Sequence, residues 1–150
     1  MGQYLEHIRN LNLRSDDLQK TLDLLFERLC ETKNQPQFSK VFNSTSITKN
    51  SSNGQSFSIE FLGLEILLSP SFTFNSENTP ILRLKAIKRF SSNEIELGEF
   101  IAEKTFLADF CGREEGVGMQ DIDLTEADAF SNTYERLSEC ISYLMYEAAR

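Results

Sequence analysis

Side chains with catalytic potential are few and widely spaced in this sequence. It holds one histidine, His7, and three cysteines, Cys30, Cys111 and Cys140. A nucleophile needs a base within hydrogen-bond reach, and the G-x-S-x-G turn of many serine hydrolases is absent. An enzyme of unrecognised type, using His7, Cys111 or the Asp121/Asp123 pair, is therefore kept only as an alternative.

Two short motifs resemble ligand-binding sequences without meeting their requirements. Residues 112–118 are glycine-rich, but they lack the Lys-Ser/Thr ending of a phosphate-binding loop and contain two glutamates that would repel phosphate. Residues 121–125 offer oxygens at alternate positions, yet Glu126 stands where a calcium-binding EF-hand loop needs glycine. Since zinc-type CxxC pairs are also missing, the sequence predicts neither a cofactor nor a metal ion.

Charge is the remaining feature with a chemical consequence. The chain has 23 acidic and 15 basic side chains and a formal net charge of -8, which argues against binding nucleic acid or an anionic membrane surface. Residues 111–150 alone contain nine acidic and three basic side chains. Six of these acidic residues form a predicted patch over the loop and first turn of the last helix: Glu114, Glu115, Asp121, Asp123, Glu126 and Asp128.

An acidic patch can steer and dock a basic protein, or it can simply keep a protein soluble. We expect a non-catalytic protein-binding module, an immunity or antitoxin type of inhibitor that neutralises a basic toxin or a nucleic-acid-acting protein. One alternative is a dimeric acidic chaperone of the secretion type that binds an unfolded client, and another is a self-assembling structural subunit. The sequence leaves the partner and the oligomeric state open.

Composition indicates a folded protein, and the order of its predicted helices and strands indicates the α+β class. The chain has 150 residues, 40% of them apolar, which is enough for one compact domain over residues 1–150. No basic and apolar leader opens the sequence, and an odd number of widely spaced cysteines suits a reducing compartment, so we expect a cytoplasmic protein.

Apolar spacing predicts helices at both ends of the chain. Leucines at four- and three-residue steps indicate a helix over 16–33, capped by Ser15, after a shorter helix over 3–12. A long helix is predicted over 126–149, with Thr125 as its N-cap. These helices are expected to pack on one antiparallel sheet.

The intervening residues predict that sheet. Residues 34–56 are expected to form a loop with a short strand or helical turn and a tight turn at Asn53-Gly54. Residues 57–108 predict four or five strands, strongly coiled, with bulges where the apolar alternation changes phase at Gly63 and Gly98. We also expect a turn at residues 69–71 and a hairpin that places Arg89 opposite Glu96. An acidic loop is predicted over residues 112–124.

Overall fold

The fold is α+β, as predicted, with one antiparallel sheet that packs against two helices. The computed structural model describes residues 2–50, 56–104, 106–112, 118–126 and 132–150. Its helices are α1 (Gly2–Lys33) and α2 (Thr133–Ala149), with a short 3-10 turn at Pro36–Phe38. The strands are β1 (Thr45–Lys49), β2 (Phe57–Phe61), β3 (Leu64–Phe74), β4 (Pro80–Phe90), β5 (Asn93–Glu103), β6 (Phe106–Gly112) and β7 (Gly118–Asp123).

The sheet is a meander in which every strand pairs with the next along the chain. It has seven strands rather than the predicted four or five. Of the additional strands, β1 lies within residues 34–56, for which the sequence predicts a loop with a short strand or helical turn, and β7 lies within residues 112–124, which are predicted to be a loop. Both are short edge strands, in which polar side chains weaken the alternation that identifies a strand from sequence.

A single α1 replaces the two predicted N-terminal helices, so the predicted break at residues 12–15 is wrong. Neither Pro nor Gly interrupts this region, and the Ser15 hydroxyl donates to the Asn12 carbonyl oxygen at 2.7 Å inside the helix. Ser15 is therefore an internal helix residue, because its hydroxyl bonds back to the preceding turn instead of capping a helix N-terminus.

The sheet curls around α1, in agreement with the predicted coiling. At one edge, Cys30 Sγ lies 3.9 Å from the carbonyl oxygen of Ile47 in β1. At the other edge, Arg28 Nε donates to the carbonyl oxygen of Leu124, the residue after β7, at 2.7 Å. Because Arg28 and Cys30 lie two residues apart, both edges of the sheet reach the same turn of one helix.

The core lies on the concave face of this curled sheet. Side chains of α1, α2 and alternate positions of the strands fill it, and those named next are each at most 3% exposed. Its members include Leu18, Leu22, Leu25, Leu29, Ile66, Leu68, Leu82, Leu84, Phe100, Leu137, Ile141 and Leu144. Residues between these positions, such as Glu65, Ser71 and Lys85, are exposed. No helix within the described ranges covers that convex face.

The two predicted bulges have different outcomes. Gly98 lies beside a true bulge, because Ala86 pairs with Gly98 while Ile87 pairs with Glu96, leaving Leu97 as the extra residue. The prediction of a bulge at Gly63 is wrong, because Leu62 and Gly63 form a two-residue hairpin turn with φ values of 47° and 82°. A two-residue hairpin also reverses the phase of apolar residues, and positive φ values at both positions are the signature of a type I′ turn.

Three other local predictions are corrected. Residues 69–71 do not turn but continue β3, and Pro70 is accommodated because β2 pairs with β3 only as far as Leu68. Arg89 lies opposite Glu94 rather than Glu96, and their side chains form an ion pair of 3.2 Å. The predicted turn at Asn53-Gly54 lies outside the described residues.

The last helix begins later than the sequence predicts. Thr125 lies in a turn after β7 and is not its N-cap, because α2 starts at Thr133 after Asn132. The Thr125 hydroxyl donates instead to Asp123 Oδ1 at 2.7 Å, so its hydrogen bond lies within the turn after β7. Within the described part of the chain, neither helix is long and apolar enough to span a membrane.

The hydrogen bond from Arg28 to the Leu124 carbonyl oxygen is expected to stabilise the fold measurably. In Arg28→Met, the Leu124 carbonyl loses its donor, so we expect the free energy of unfolding in urea to fall by about 1–3 kcal/mol. Arg9→Met is the matched control, because Arg9 pairs with Glu6 on the exposed part of α1 and should change stability by less than about 0.5 kcal/mol. Equal losses in the two variants would contradict this role for Arg28.

Candidate functional site

The residues with catalytic potential do not assemble into a catalytic arrangement in the described part of the chain. The His7 ring packs edge-on against Phe74 of β3, with ring centroids 5.9 Å apart. The backbone of Cys111 lies near the end of β6, opposite Gly118, and its side chain is not among those described. Neither His7 nor Asp123 lines the two cavities presented below.

The other cysteines are protected by the fold. Burial, together with the nearby Glu139 charge, raises the pKa of the Cys140 thiol on α2 to about 12. Burial also raises the pKa of Cys30, against the opposing effect of Lys33 and Lys49. Such thiols are poor nucleophiles at neutral pH.

A polar cluster joins the start of α2 to α1. Tyr134 Oη donates to Glu31 Oε2 at 2.7 Å, and Arg28 Nη1 donates to both carboxylate oxygens of Glu31 at 2.9 Å. Partial burial, together with the hydrogen bond to Glu31, raises the pKa of Tyr134. All three groups are satisfied within the protein, so this cluster is best explained as a connection between the two helices and the end of β7.

The predicted acidic patch is described only in part. Glu114, Glu115 and Asp128 lie outside the described residues, and the side chain of Asp121 is not described. Asp123 Oδ1 accepts from the Thr125 backbone N–H at 3.0 Å as well as from its hydroxyl, which gives this carboxylate a structural role in the turn. Glu126 follows that turn and is exposed. The patch as a functional surface stays a prediction.

An acidic depression that sequence reasoning missed lies at the β2–β3 hairpin. Glu60 and Glu65 face each other directly in the register, and both are exposed. They line a depression of about 370 Å³ together with Ser44, Ser46 and the hairpin turn. Had the turn at Leu62-Gly63 been recognised, the pairing of Glu60 with Glu65 would have followed from the sequence.

The larger cavity, of about 580 Å³, lies where α1 extends past the opposite end of the sheet. Three segments far apart in the sequence form it: residues 10–24 of α1, residues 78–80 at the start of β4, and residues 103–104 at the end of β5. Three of its side chains are cationic and two are anionic, namely Arg14, Lys20, Lys104, Asp17 and Glu103. No local sequence motif could have joined these segments.

The N-terminal half of α1 exposes apolar side chains. Tyr4, Ile8 and Leu11 continue the four- and three-residue spacing of the buried leucines, yet Tyr4 is 77% and Ile8 50% exposed. Leu5 and Leu13 are also exposed. Apolar side chains grouped in this way indicate a protein-interaction surface more often than scattered ones do.

Comparisons with known proteins do not assign a family. No family model matches the chain, and neither a curated protein nor a solved structure matches it. Within the described ranges, no group of three or more His, Cys, Asp or Glu side chains is placed to hold a metal ion.

Glu60 is expected to destabilise the free protein, because like charges directly opposite on neighbouring strands repel. Glu60→Lys should raise the free energy of unfolding by about 0.2–1 kcal/mol at low salt, with a smaller gain at high salt. Glu77→Lys makes the same charge change in the exposed β3–β4 loop and serves as the control. An equal gain in both variants would mean that only the net charge matters.

Cys140 is expected to make stability fall at alkaline pH. Its pKa is raised in the folded state, so its contribution is complete below the ordinary pKa of 9.0 and is lost as pH rises toward about 12. The difference in unfolding free energy between the wild type and Cys140→Ala should therefore narrow as pH is raised from about 8 to about 10. Cys30→Ala, at a half-buried site, should show less narrowing, and a constant difference for Cys140→Ala would refute the assignment.

Proposed function

We propose that this protein is a non-catalytic acidic module that binds a basic protein partner, acting in the cytoplasm as an inhibitor of the immunity or antitoxin kind. The observation that carries the proposal is the exposed cross-strand pair of Glu60 and Glu65. Such a pair costs stability in the free protein, and a positively charged group placed between the two carboxylates would relieve that cost.

The depression around this pair suits a lysine or arginine side chain. Its volume of about 370 Å³ can accommodate a long side chain, and Ser44 and Ser46 add hydroxyl groups to its wall. Leu62, which is 81% exposed in the hairpin turn, can contact the aliphatic stem of such a side chain. Carboxylates on adjacent strands can then accept charge-assisted hydrogen bonds from its head group.

The cations of the convex face are largely engaged elsewhere. Arg83 binds Glu99 through two hydrogen bonds of 2.6 and 3.3 Å, and Arg89 pairs with Glu94. Lys85 lies opposite Ser69, four residues along β3 from Glu65. The field at the β2–β3 hairpin is therefore set mainly by Glu60 and Glu65, which would favour the approach of a basic surface.

The predicted acidic patch would supply a second contact in this proposal. Asp123 is the last residue of β7 and Glu126 follows it, whereas β7 begins at Gly118, so about 17 Å of strand separates Gly118 from Asp123. This length is compatible with a standard protein–protein interface of about 800 Å² per partner.

The binding proposal is tested with a labelled octa-lysine peptide as a probe of the acidic depression. We expect Glu60→Gln/Glu65→Gln to weaken binding about tenfold, or roughly 1.4 kcal/mol, and wild-type affinity to fall as salt rises from about 50 to about 500 mM. Fluorescence anisotropy measures both effects. Glu77→Gln/Glu135→Gln removes two exposed carboxylates elsewhere and should leave the affinity within about twofold.

Two results would count against this mechanism. Equal losses in the two double variants would show that affinity follows net charge alone, and an affinity indifferent to salt would exclude electrostatic docking. For the inhibitor role itself, the test is co-expression with a neighbouring reading frame that is toxic when expressed alone. The chain should restore growth, and Glu60→Gln/Glu65→Gln should restore it less well than the control variant.

A dimeric chaperone is the second candidate, favoured by the exposed apolar side chains of α1. Tyr4, Ile8 and Leu13 would supply an apolar surface to an unfolded client or to a second copy of the chain. Light scattering separates the two proposals. A dimer that Ile8→Glu dissociates would favour the chaperone, whereas a monomer at all concentrations would favour the inhibitor.

A further inference from the structure

The cavity of about 580 Å³ has the size and lining of a small-molecule site. Ligand pockets of drug-sized compounds commonly measure about 300–1,000 Å³ and combine apolar walls with a few polar groups. Here Leu18, Leu24 and Pro80 supply apolar surface, and the amides of Asn10 and Asn78 supply hydrogen-bonding groups. The cavity shares no lining residue with the depression at Glu60 and Glu65.

The cationic side chains of this cavity differ from most others in the described part of the chain, which form ion pairs or hydrogen bonds. Arg9, Arg28, Lys49, Arg83, Arg89 and Arg150 form ion pairs, and Lys88 donates to the carbonyl oxygen of Ala148. Six described Lys and Arg side chains make neither an ion pair nor a hydrogen bond with a described residue. Three of the six line this one cavity: Arg14, Lys20 and Lys104.

The fold holds Lys104 against α1. The hydroxyl of Thr21, a residue that is 3% exposed, donates to the Lys104 carbonyl oxygen and so links the end of β5 to the helix. Lys104 has a φ of 56°, and Asn78 on another wall of the cavity has a φ of 60°. Lysine has no special preference for left-handed backbone, and residues held in such conformations occur preferentially at ligand sites.

The carboxylates in the lining limit the charge of the occupant. Asp17 and Glu103 also face the cavity, and they form no ion pair with Arg14, Lys20 or Lys104. Three cations against two carboxylates leave an excess of one positive charge in a partly enclosed space. An occupant with a single anionic head group balances this excess, and its apolar body matches the leucine and proline surface.

We propose that this cavity binds a small organic anion, a carboxylate or phosphate monoester carried on an apolar body. Arg14, Lys20 and Lys104 bind the anionic head group, while Leu18, Leu24 and Pro80 contact the apolar body. Such a ligand would bind at the junction of α1 with the β3–β4 and β5–β6 connections. The site is separate from the surface proposed to hold a basic protein partner.

Calorimetric titration below the critical micelle concentration tests the proposal with three probes: decanoate, decyl phosphate and decanol. We expect at least one of the two anions to bind wild-type protein about tenfold or more tightly than decanol. Tighter binding of decanoate identifies the carboxylate source, and tighter binding of decyl phosphate identifies the phosphate source. Backbone amide shifts in NMR should change at Thr21, Thr79 and Lys104.

The triple variant Arg14→Gln/Lys20→Gln/Lys104→Gln should lose the preference for the anions and keep the affinity for decanol. The control Lys33→Gln/Lys40→Gln/Lys85→Gln removes the other three unengaged cations, and should bind all probes as the wild type does. Circular dichroism checks that both variants fold. The proposal is overturned if neither anion binds, if decanol binds equally well, if both triple variants lose affinity equally, or if the amide shifts lie elsewhere.

Discussion

Burial of the leucine stripe of α1 by a sheet curled around it is the constraint on which the rest of this structure depends. Leu18, Leu22, Leu25 and Leu29 are at most 3% exposed, and each contributes about 1.5–3 kcal/mol when fully buried. A flat sheet could cover one side of such a helix. The hydrogen bond from Arg28 to Leu124 shows how far the curl goes, because it links α1 to the residue that follows the last strand.

The two proposed sites lie at opposite ends of the sheet that curls around α1. The stripe of α1 continues toward the N-terminus past the sheet, so Tyr4 and Ile8 are exposed while Leu18 is buried. The larger cavity forms at that transition, between the helix and the turns that close neighbouring hairpins. The acidic depression lies at the opposite end of the sheet, at the β2–β3 turn, because successive hairpin turns of a meander alternate between its two ends.

The sequence was most informative where a regular pattern coincided with one element. The leucine spacing of α1 and the strand content of residues 57–108 indicated the α+β class, and the phase change at Gly98 located a real bulge. The same reasoning failed at Gly63, because a hairpin and a bulge both reverse the apolar phase, and only the pairing partners distinguish them. Edge strand β7 lies in a predicted loop, and β1 lies where the sequence predicts only a short strand or a helical turn, since polar side chains weaken the alternation in both.

The candidate sites were less accessible to such reasoning. The pairing of Glu60 with Glu65 depends only on the turn at Leu62-Gly63, so it can be predicted from the sequence once that turn is assigned. The cavity depends on contacts between segments up to about ninety residues apart, which hydrophobic periodicity does not report. Half of the predicted acidic patch, Glu114, Glu115 and Asp128, lies outside the described residues, so its role rests on charge alone.

The order of the elements along the chain also bears on how the protein is made. A meander brings strands together as they are synthesised, with mostly local contacts that favour rapid folding. The long helix is an exception, because it is synthesised about ninety residues before Leu124 and Tyr134, which contact it. During translation, the leucine side chains of this helix therefore stay partly exposed until the strands that bury them have been synthesised. Apolar surface exposed in this way makes an incomplete chain prone to aggregate before it folds.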